Sequence, residues 1–360
     1  SGKKSSVTDG TGKTTYEYDL RDRLVKQVNP DGTFISYTYD ASGNRTSIET
    51  PNSKITYSYD KLNRLETVED NKGNITKYSY DSVGNRKSVE YPNGSKTEYE
   101  YDTLNRLVKL TNKKSTGEII SSYSYDLGPS GNRTKVTEHT GRTVDYVYDD
   151  TYKLLSETIK DSSGTKVIEY TYDAFGNRLT KTDDGVTTVY EYDKNNRLTS
   201  DGTYTYSYDN NGNTLSKTSA TDSETYSYDY ENRLVEVKKT SAAETSYVKY
   251  LYNANGVKVG MDANGKISKY LVDINRDYSM IIEETDEDGS IIVKYVYGDD
   301  LISQEREGAV SYYHYDGTGS TRALTDTDEN ITDTYDYDAF GNIISKTGTT
   351  INEFLFTGEQ

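Results

Sequence analysis

The stretch YSYDSVGNRKSVE (residues 78–90) carries the pattern that decides the fold of this 360-residue chain. Tyr78 and Tyr80 are two residues apart, which is the period of a β-strand, so both rings are predicted to point to one face of a sheet. Asp81 can accept backbone hydrogen bonds at the start of a turn, and Gly84 tolerates a positive φ. The residues after Gly84 continue as a second strand. The stretch therefore predicts a β-hairpin.

The same pattern recurs along most of the chain. Eleven Tyr-x-Tyr-Asp sites end at Asp19, Asp40, Asp60, Asp81, Asp102, Asp126, Asp149, Asp173, Asp193, Asp209 and Asp229. Four more Tyr-x-Tyr pairs follow, at Tyr250/Tyr252, Tyr295/Tyr297, Tyr313/Tyr315 and Tyr335/Tyr337. Turn signals such as Pro30-Asp31-Gly32 close the units on their other side. Each repeat of about 20 residues is therefore predicted to contain two antiparallel strands and two tight turns.

The turns that follow the tyrosine pairs are of two alternating types. One type has a Gly-Asn step, at Gly43, Gly84, Gly131, Gly176 and Gly212. The other type often has Asn-Arg-Leu instead, at Asn63, Asn105, Asn196 and Asn232. We expect the two types to lie at structurally distinct positions along the sheet.

The composition requires an unusual core. Leu, Ile, Val and Phe make up 65 of the 360 residues and the net charge is −17, a combination typical of disordered chains. The 38 tyrosines reverse this interpretation, because each can bury a large ring and keep its hydroxyl solvated. We expect much of the tyrosine-bearing sheet to lack a second layer, with the hydroxyls meeting water or one another. Residues 281–304 are more apolar and are expected to pack against another part of the sheet or against the C-terminal segment.

The number of strands predicts the fold class. Roughly 30 strands spaced by about 4.8 Å would form a sheet about 140 Å wide, and twisted sheets of more than about ten strands curl. The predicted fold is all-β: a repeat protein whose antiparallel β-hairpins form one long sheet, wound into a spiral, a hollow tube or a partial shell.

Composition also excludes several classes of protein. Without cysteine the chain has no disulfides and no thiolate metal sites or nucleophiles. No apolar run approaches the roughly 18 residues of a transmembrane helix, so no membrane span is predicted. No nucleic-acid partner is predicted, because 59 acidic residues outnumber 42 basic ones.

Candidate catalytic bases and metal ligands are few. His139 and His314 are the two histidines, and each is predicted to be an ordinary surface strand residue. Residues 326–330, DTDEN, begin like a calcium loop, but Ile331 and Tyr337 stand where that loop needs glycine and a bidentate acid. A turn is predicted there, with weak calcium binding by surface acids left open. No catalytic, cofactor-binding or metal-binding residue is therefore predicted, and no enzyme.

Two glycine-containing stretches resemble parts of nucleotide-binding loops. Gly12-Lys13-Thr14 lacks the first glycine of a phosphate loop, because Val7 stands there. Gly317-Thr318-Gly319 lacks the third glycine of a dinucleotide loop, because Arg322 stands there. Both stretches are predicted to be turns.

Arginines recur in the predicted turns, at Arg45, Arg64, Arg86, Arg106 and Arg178. Each is predicted to pair with the aspartate that opens its turn or to lie over a tyrosine ring. The alternative is that Tyr, Asp, Asn and Arg together form strips that bind carbohydrate.

Longer matches carry a family resemblance. YDAFGNRLTK (residues 172–181) returns as YDAFGNIISK (residues 337–346). These repeats strongly resemble the tyrosine–aspartate (YD) repeats of RHS proteins, from about Tyr16 to the end of the chain. YYHYDGTGSTRALTDTDENITDTYDYDAFGN (residues 312–342) and FLFTGEQ (residues 354–360) are similar to the beginning of the RHS-associated core.

The resemblance implies an organisation and a function. Residues 1–15 are expected to be an N-terminal tail, 16–249 the YD-repeat spiral, 250–311 divergent repeats and 312–360 a truncated segment of the associated core. In this family the repeats wind into a cocoon around a C-terminal toxin, and several members carry an aspartyl self-cleavage site in the core. The sequence stops at Gln360, before the family's cleavage motif and toxin, so no catalytic role is assigned to Arg322 or the acids near it.

The function implied is a non-enzymatic structural shell segment of a secreted or cell-surface bacterial RHS/YD-repeat protein. Its expected partners are an enclosed effector polypeptide or further RHS segments. The alternative is an extracellular adhesive module that binds carbohydrate or forms filaments, because open strand edges invite head-to-tail pairing with another copy.

Overall fold

A computed structural model describes residues 2–358, and these residues are almost entirely β-structure. They form 34 strands and one short 3-10 turn, Phe356–Gly358. They contain no helix that is long and apolar enough to cross a bilayer. The all-β prediction is confirmed.

The strands belong to two antiparallel sheets. The first sheet has 18 strands: β1 Ser6–Asp9, β2 Gly12–Tyr18, β3 Leu24–Val28, β4 Phe34–Tyr39, β5 Arg45–Glu49, β6 Lys54–Tyr59, β7 Leu65–Glu69, β8 Ile75–Tyr80, β9 Arg86–Glu90, β10 Lys96–Tyr101, β11 Leu107–Lys113, β12 Ile119–Leu127, β13 Arg133–Glu138, β14 Thr143–Tyr148, β15 Leu154–Asp161, β16 Gly164–Tyr172, β17 Arg178–Asp183 and β18 Val186–Val189.

The second sheet has 16 strands: β19 Glu191–Tyr192, β20 Leu198–Ser200, β21 Thr205–Tyr208, β22 Thr214–Thr218, β23 Asp222–Tyr228, β24 Leu234–Ser241, β25 Thr245–Tyr252, β26 Lys258–Ala263, β27 Lys266–Asp273, β28 Met280–Asp286, β29 Ile291–Tyr297, β30 Leu301–Arg306, β31 Ala309–Tyr315, β32 Thr321–Thr325, β33 Ile331–Tyr337 and β34 Ile343–Thr347.

The predicted hairpins are present, with one difference from the predicted single sheet. Strands that follow one another in the chain pair with one another, beginning with β1 and β2, where Val7 pairs with Thr14. The ladder is interrupted at Tyr190: β18 pairs with β17, whereas β19 pairs with β20. The hairpins therefore form two long sheets.

A β-bulge marks the second tyrosine of the repeats. In β8 the register shifts between Ser79 and Tyr80, and Tyr80 pairs with Arg86 across the turn. Equivalent shifts precede Tyr18, Tyr39, Tyr59, Tyr101, Tyr148, Tyr172, Tyr192, Tyr208, Tyr228, Tyr297, Tyr315 and Tyr337. A bulge bends its strand and leaves part of the ladder unpaired, so backbone groups at these positions need other partners.

The chain divides into two compact units. The first contains residues 2–123, 252–259 and 269–358, and the second contains residues 124–251 and 260–268. The predicted division at residues 15, 249 and 311 remains a prediction.

The first unit has a core with two packed sheet faces. Tyr37 on β4 is 3% exposed and its hydroxyl donates to Asp273 on β27 at 2.8 Å. The ring of Tyr91 contacts Tyr312 on β31, and Val293 on β29 is completely buried in the same core. The expectation of an uncovered tyrosine face is therefore wrong for this unit, because the apolar strands from β27 onward cover it.

The second unit is packed more loosely. Its buried apolar side chains lie in β12–β16 and include Val136, Val144, Ile159 and Ile168. In the strands β18–β25 no residue is buried, and their tyrosines are half-buried. The tyrosine rings of these strands are contacted by cationic side chains, such as Arg197 over Tyr208 and Lys249 over Tyr247.

Candidate functional site

The second tyrosine of a repeat satisfies a backbone group that the preceding bulge leaves open. Tyr59 pairs with Leu65 at its bulge, and the hydroxyl of Tyr80, one repeat later, donates to the Leu65 carbonyl at 2.8 Å. The same bond joins Tyr39 to Leu24, Tyr59 to Arg45, Tyr101 to Arg86, Tyr172 to Leu154, Tyr192 to Arg178, Tyr208 to Leu198, Tyr315 to Leu301 and Tyr337 to Thr321. The expectation that hydroxyls meet water or one another is wrong here, because these hydroxyls donate to backbone carbonyls, a bond that phenylalanine could not make.

The aspartate after each pair organises the turn. Asp60 accepts hydrogen bonds from the backbone N–H groups of Leu62 and Arg64, at 2.8 and 3.0 Å, and from Arg64 Nε at 2.7 Å. The hydrogen bonds from Arg64 lower the pKa of the Asp60 carboxyl. The same arrangement occurs at Asp19/Arg23, Asp102/Arg106, Asp193/Arg197 and Asp229/Arg233.

The two turn types share a backbone but differ in their neighbours. Asn63 and Gly84 occupy the same turn position with positive φ, 59° and 103°, and each donates its N–H to the carbonyl of the opening aspartate. In the Gly-Asn type, Asn85 also donates to the side chain of Asn105 in the next turn, at 3.1 Å. Equivalent bonds join Asn44 to Asn63, Asn177 to Asn196 and Asn213 to Asn232. The distinction that the sequence predicts therefore lies in side-chain contacts between neighbouring turns.

The turn arginines have both of the predicted uses. The guanidinium of Arg64 pairs with Asp60 and lies 4.4 Å from the centre of the Tyr80 ring. Arg23 covers Tyr39, Arg86 covers Tyr99, Arg178 covers Tyr190 and Arg197 covers Tyr208. Such contacts contribute about 0.5–1 kcal/mol each where exposed.

A buried ion cluster joins the two sheets inside the first unit. The Asp273 side chain is completely buried and contacts Arg45 Nη1 at 2.6 Å and Arg276 Nε at 3.0 Å. Burial raises the pKa of Asp273, but the two guanidinium groups and the Tyr37 hydroxyl outweigh it, so the pKa lies below its usual value. Sequence reasoning did not identify Asp273. The available signal was a single acid that ends an apolar run, Leu271-Val272-Asp273.

Glu283 makes a second buried connection. It is 1% exposed on β28 and accepts hydrogen bonds from Asn52 Nδ2 at 2.9 Å and Ser53 Oγ at 3.0 Å, and also from Thr50. Asp273 and Glu283 lie on neighbouring strands of the second sheet and bind side chains of β5 and the turn after it. Asp273 and Glu283 therefore connect β27 and β28 to β5 and the turn after it.

The segment of residues 350–358, here called the strap, crosses β30–β33 of the second sheet. Its residues bind one strand after another: the N–H of Thr350 donates to Asp333 at 2.9 Å, Gln304 donates to the Ile351 carbonyl at 2.9 Å, and the N–H of Thr321 donates to the Leu355 carbonyl at 2.8 Å. The strap belongs to the part of the chain that resembles the associated core.

Phe354 anchors the strap. It is 7% exposed, and its ring makes edge contacts with Tyr295, Tyr297 and Tyr313 at centroid distances of 5.1, 6.5 and 6.5 Å. On the opposite face of β31, His314 contacts Tyr91. This strand is therefore covered on both faces, by the strap and by the first sheet.

The two histidines lie in different units, His314 in the first and His139 in the second. His139 is exposed, as predicted, but in a turn rather than a strand. His314 is completely buried, so the prediction of a surface residue is wrong; Tyr91 covers it and its Nε2 lies 2.9 Å from Thr325 Oγ1. Burial lowers the pKa of His314 to about 3, so this imidazole is neutral at physiological pH.

The remaining candidates have structural contacts. Arg322 is 9% exposed, donates to the Tyr335 carbonyl at 2.7 Å and pairs with Asp316 and Asp336. Residues 317–319 form the predicted turn, whereas residues 12–14 begin β2 directly after a turn.

The stretch that begins like a calcium loop forms the predicted turn. Asp326 accepts hydrogen bonds from the N–H groups of Asp328 and Asn330 at 2.9 and 2.8 Å, and Glu329 binds Ser115. Within residues 2–358, no cluster of three or more acidic or histidine side chains has the geometry of a metal site.

Comparison with known proteins gives a family match and several proteins of similar sequence. The family described as Teneurin YD-shell matches residues 2–125 and 130–359. The tRNA3(Ser)-specific nuclease WapA of Bacillus spizizenii is 30% identical over 168 residues, which are 46% of this chain and 6% of that protein. The tRNA nuclease WapA of Bacillus subtilis is 29% identical over 168 residues, again 46% of this chain and 6% of that protein. The match therefore spans only a small part of these curated relatives.

Solved structures share the fold. The crystal structure of TcdB2-TccC3-Cdc42 has a TM-score of 0.77 at 14% identity, covering 96% of this chain and 21% of that chain. TcdB2-TccC3 has a TM-score of 0.77 at 15% identity, covering 96% and 22%. A Tc holotoxin pore of Photorhabdus luminescens has a TM-score of 0.66 at 15% identity, covering 96% and 18%.

The repeated bulge, the tyrosine that satisfies it and the aspartate-organised turn thus recur along a chain that the family matches almost throughout. The resemblance to YD-repeat proteins is confirmed, and this chain belongs to the Teneurin YD-shell family.

Proposed function

We propose that this chain is a non-enzymatic wall segment of an RHS/YD-repeat shell that encloses or presents a C-terminal toxin or effector, in a secreted or cell-surface bacterial protein. The observation that carries the proposal is the strap, which Phe354 fixes among Tyr295, Tyr297 and Tyr313. A strap held in this way determines where a following polypeptide segment leaves the sheet.

The repeats have the properties that a wall needs. The backbone carbonyl at the bulge of one repeat accepts a hydrogen bond from the tyrosine hydroxyl of the next repeat, as the Leu65 carbonyl does from Tyr80. Its turn is held by an aspartate such as Asp60. These bonds join neighbouring repeats, so repeats can be added to the sheet without a large apolar core. The strands β18–β25, in which no residue is buried, are an example.

The experiment tests where the chain leads after the strap. A protease-sensitive, fluorescently labelled peptide is appended after Gln360 and, in a second protein, before Ser1. We expect slower cleavage at the C-terminal position. The strap lies against the sheet face that carries Tyr295, Tyr297 and Tyr313, so a peptide appended after it begins close to that face and is less accessible to the protease. In the Phe354→Ala variant the two positions should be cleaved at similar rates. Equal cleavage in the unsubstituted protein contradicts the proposal.

The non-enzymatic part of the proposal has its own test. WapA proteins are named as tRNA nucleases, and the match to this chain covers 6% of their length. We propose that the matched part is wall rather than nuclease, supported by a buried neutral His314 and by an exposed His139 that lies in a turn of the other unit. Incubation of this chain with total tRNA is expected to leave the tRNA intact, and cleavage that survives repurification contradicts the proposal.

A second candidate function is self-association into filaments. Strand β34, Ile343–Thr347, is exposed at every residue and pairs with β33 on one side. Such an edge can accept a strand from another copy. Size-exclusion chromatography with light scattering distinguishes the candidates: growth of the mass with concentration favours filaments, and a constant monomer mass opposes them.

The carbohydrate-binding alternative has less support. Sugar stacking needs free ring faces, and in the repeats the faces of Tyr39, Tyr80 and Tyr208 lie against guanidinium groups. We therefore do not propose carbohydrate as the ligand of the repeats.

A further inference from the structure

The chain contains four Asn-Gly steps, and one of them has hydrogen bonds that the others lack. The four steps are Asn93-Gly94, Asn211-Gly212, Asn255-Gly256 and Asn264-Gly265. An Asn-Gly step can modify itself, because the backbone nitrogen of the glycine can attack the side-chain amide carbon of the asparagine. Glycine has no Cβ, so nothing on the glycine hinders this approach.

Asn264 and Gly265 form the turn between β26 and β27, in the second unit. This turn has no part in the wall function proposed above. Both residues are exposed, and their φ values of 54° and 87° suit a two-residue hairpin turn. A Cβ placed on Gly265 would meet no atom within 4 Å, its chain neighbours aside. The turn therefore has room for a reaction and for water.

The first distinguishing bond involves the attacking nitrogen. The N–H of Gly265 donates to Asp262 Oδ1 at 2.7 Å, a distance at which a carboxylate can accept the proton as a general base. At the other three steps the glycine N–H donates to a backbone carbonyl instead, that of Tyr91, Asp209 or Asn253, at 2.9, 3.2 and 2.9 Å. A carbonyl is a much weaker base than a carboxylate. Of the four glycines, Gly265 alone has a proton acceptor of this strength.

The second distinguishing bond involves the attacked amide. The backbone N–H of Tyr247 donates to Asn264 Oδ1 at 2.7 Å. This oxygen gains negative charge when its carbon is attacked, and a fixed N–H donor at about 2.7–3.1 Å stabilises such a charge. Tyr247 belongs to β25, so folding is needed to bring this donor to the turn.

The leaving nitrogen also differs between the steps. In the other three steps it is tied by a hydrogen bond: Asn93 Nδ2 donates to the Asp326 carbonyl at 2.8 Å, Asn211 Nδ2 to Asn232 at 2.9 Å and Asn255 Nδ2 to Tyr16 at 2.8 Å. Asn264 Nδ2 donates no hydrogen bond within residues 2–358. Its amide nitrogen is therefore free to leave.

We propose that Asn264-Gly265 is a self-modification site at which Asn264 loses its side-chain amide. Asp262 accepts the proton of the Gly265 N–H, and Gly265 N forms a bond to Asn264 Cγ. The bond from Cγ to Nδ2 breaks, and Nδ2 takes up a proton and leaves as ammonia. Water then opens the succinimide by breaking one of its two carbonyl–nitrogen bonds, which leaves aspartate or isoaspartate at position 264.

The product changes the turn in two ways. The new carboxylate lies in the same turn as Asp262, and like charges repel each other. Isoaspartate also lengthens the backbone of a two-residue turn. The conversion should therefore loosen the tip of the β26–β27 hairpin.

The test incubates the whole chain at pH 7.4 and 37 °C and digests it with pepsin at acidic pH, which stops the reaction. Mass spectrometry then measures conversion at each Asn-Gly step and separates aspartate from isoaspartate by fragmentation. We expect conversion at Asn264 to be at least about tenfold faster than at Asn93, Asn211 and Asn255.

Two variants test the role of the carboxylate. Asp262→Asn should slow conversion at Asn264 by at least about tenfold, because its side-chain oxygen can still accept the Gly265 hydrogen bond but cannot take the proton. Asp277→Asn, at an exposed position in the first unit, should leave the rate unchanged. Circular dichroism and thermal melting check that each variant is folded.

A peptide tests the role of the fold. The blocked peptide acetyl-Asp-Ala-Asn-Gly-Lys-amide keeps the carboxylate but lacks the Tyr247 donor, so it should convert more slowly than the folded chain. The proposal is overturned by equal rates at the four steps, by an unchanged rate in Asp262→Asn or by a peptide as fast as the folded chain. Cleavage of the chain between Asn264 and Gly265 in place of deamidation also overturns it, because Nδ2 would then be the attacking atom.

Discussion

The hydroxyl of Tyr80 donates a hydrogen bond to the backbone carbonyl of Leu65, with 2.8 Å between the two oxygen atoms. Leu65 is the residue opposite the bulge at Tyr59 in the preceding repeat. The bulge and the tyrosine therefore act together: the bulge leaves a backbone carbonyl without a partner in the strand ladder, and the tyrosine hydroxyl of the next repeat donates a hydrogen bond to it. The phenol ring is selected for its hydroxyl as well as its area.

Tyr80→Phe should lower the free energy of unfolding by about 1 kcal/mol, because it leaves the Leu65 carbonyl without this donor while the ring packing is kept. Urea denaturation followed by circular dichroism measures the effect. Tyr230→Phe is the matched control, because Tyr230 is fully exposed, and it should be neutral. Equal midpoints for the two variants would show that water replaces the hydroxyl without loss.

Asp273→Ala should lower the free energy of unfolding by about 3–5 kcal/mol, because it leaves the guanidinium groups of Arg45 and Arg276 buried without their anion. Asp277→Ala, at an exposed position four residues later, serves as the control. Adding Arg45→Met to Asp273→Ala should restore part of the loss, since it removes one unpaired charge. A double variant that loses the sum of the two single effects would contradict the ion cluster.

The pH dependence of stability should contain a contribution from His314. Its pKa in the folded state is about 3, below its usual value of 6.5, so between these values the unfolded state binds a proton that the folded state does not. The free energy of unfolding therefore falls as the pH is lowered from 6.5, by about 1.4 kcal/mol per pH unit from this group.

Denaturant unfolding between pH 7 and 5 checks this prediction through a comparison of variants. His314→Gln should flatten the slope, whereas His139→Gln, which removes an exposed histidine, should keep it. If both variants have the same slope as the unsubstituted protein, His314 is protonated in the folded state.

Phe354→Ala should release the strap while the repeats stay folded. The ring loses its edge contacts with Tyr295, Tyr297 and Tyr313, which are the apolar anchor of the strap, so the hydrogen bonds of the strap, such as that from Thr321 N–H to the Leu355 carbonyl, should open more often. Hydrogen exchange followed by mass spectrometry should be faster in residues 350–358 and unchanged in β6–β9. Phe340→Ala, at a side chain that is 46% exposed, should leave strap exchange as it is.

The hairpins were predictable because the interactions that form them are local. Tyr78, Tyr80 and Asp81 determine strand direction and turn within a few residues, and the structure has a strand and a turn where the sequence predicts them. The sequence predicted that the two turn types differ. It did not predict that they differ in a side-chain hydrogen bond between turns, such as that from Asn85 to Asn105, because this bond depends on which turns are neighbours in the folded sheet.

The alternating tyrosines and the glycine, asparagine and aspartate turns by themselves determined that this protein is an all-β chain of hairpin repeats. Only the tertiary structure decided that the tyrosine face of the first unit is covered, that Asp273 binds Arg45 and that His314 is buried. The physical reason is that strand period and turn geometry are set by neighbours in the chain. Burial and ion pairing, in contrast, depend on residues more than 200 positions away, such as Asp273, which lies 228 positions from Arg45.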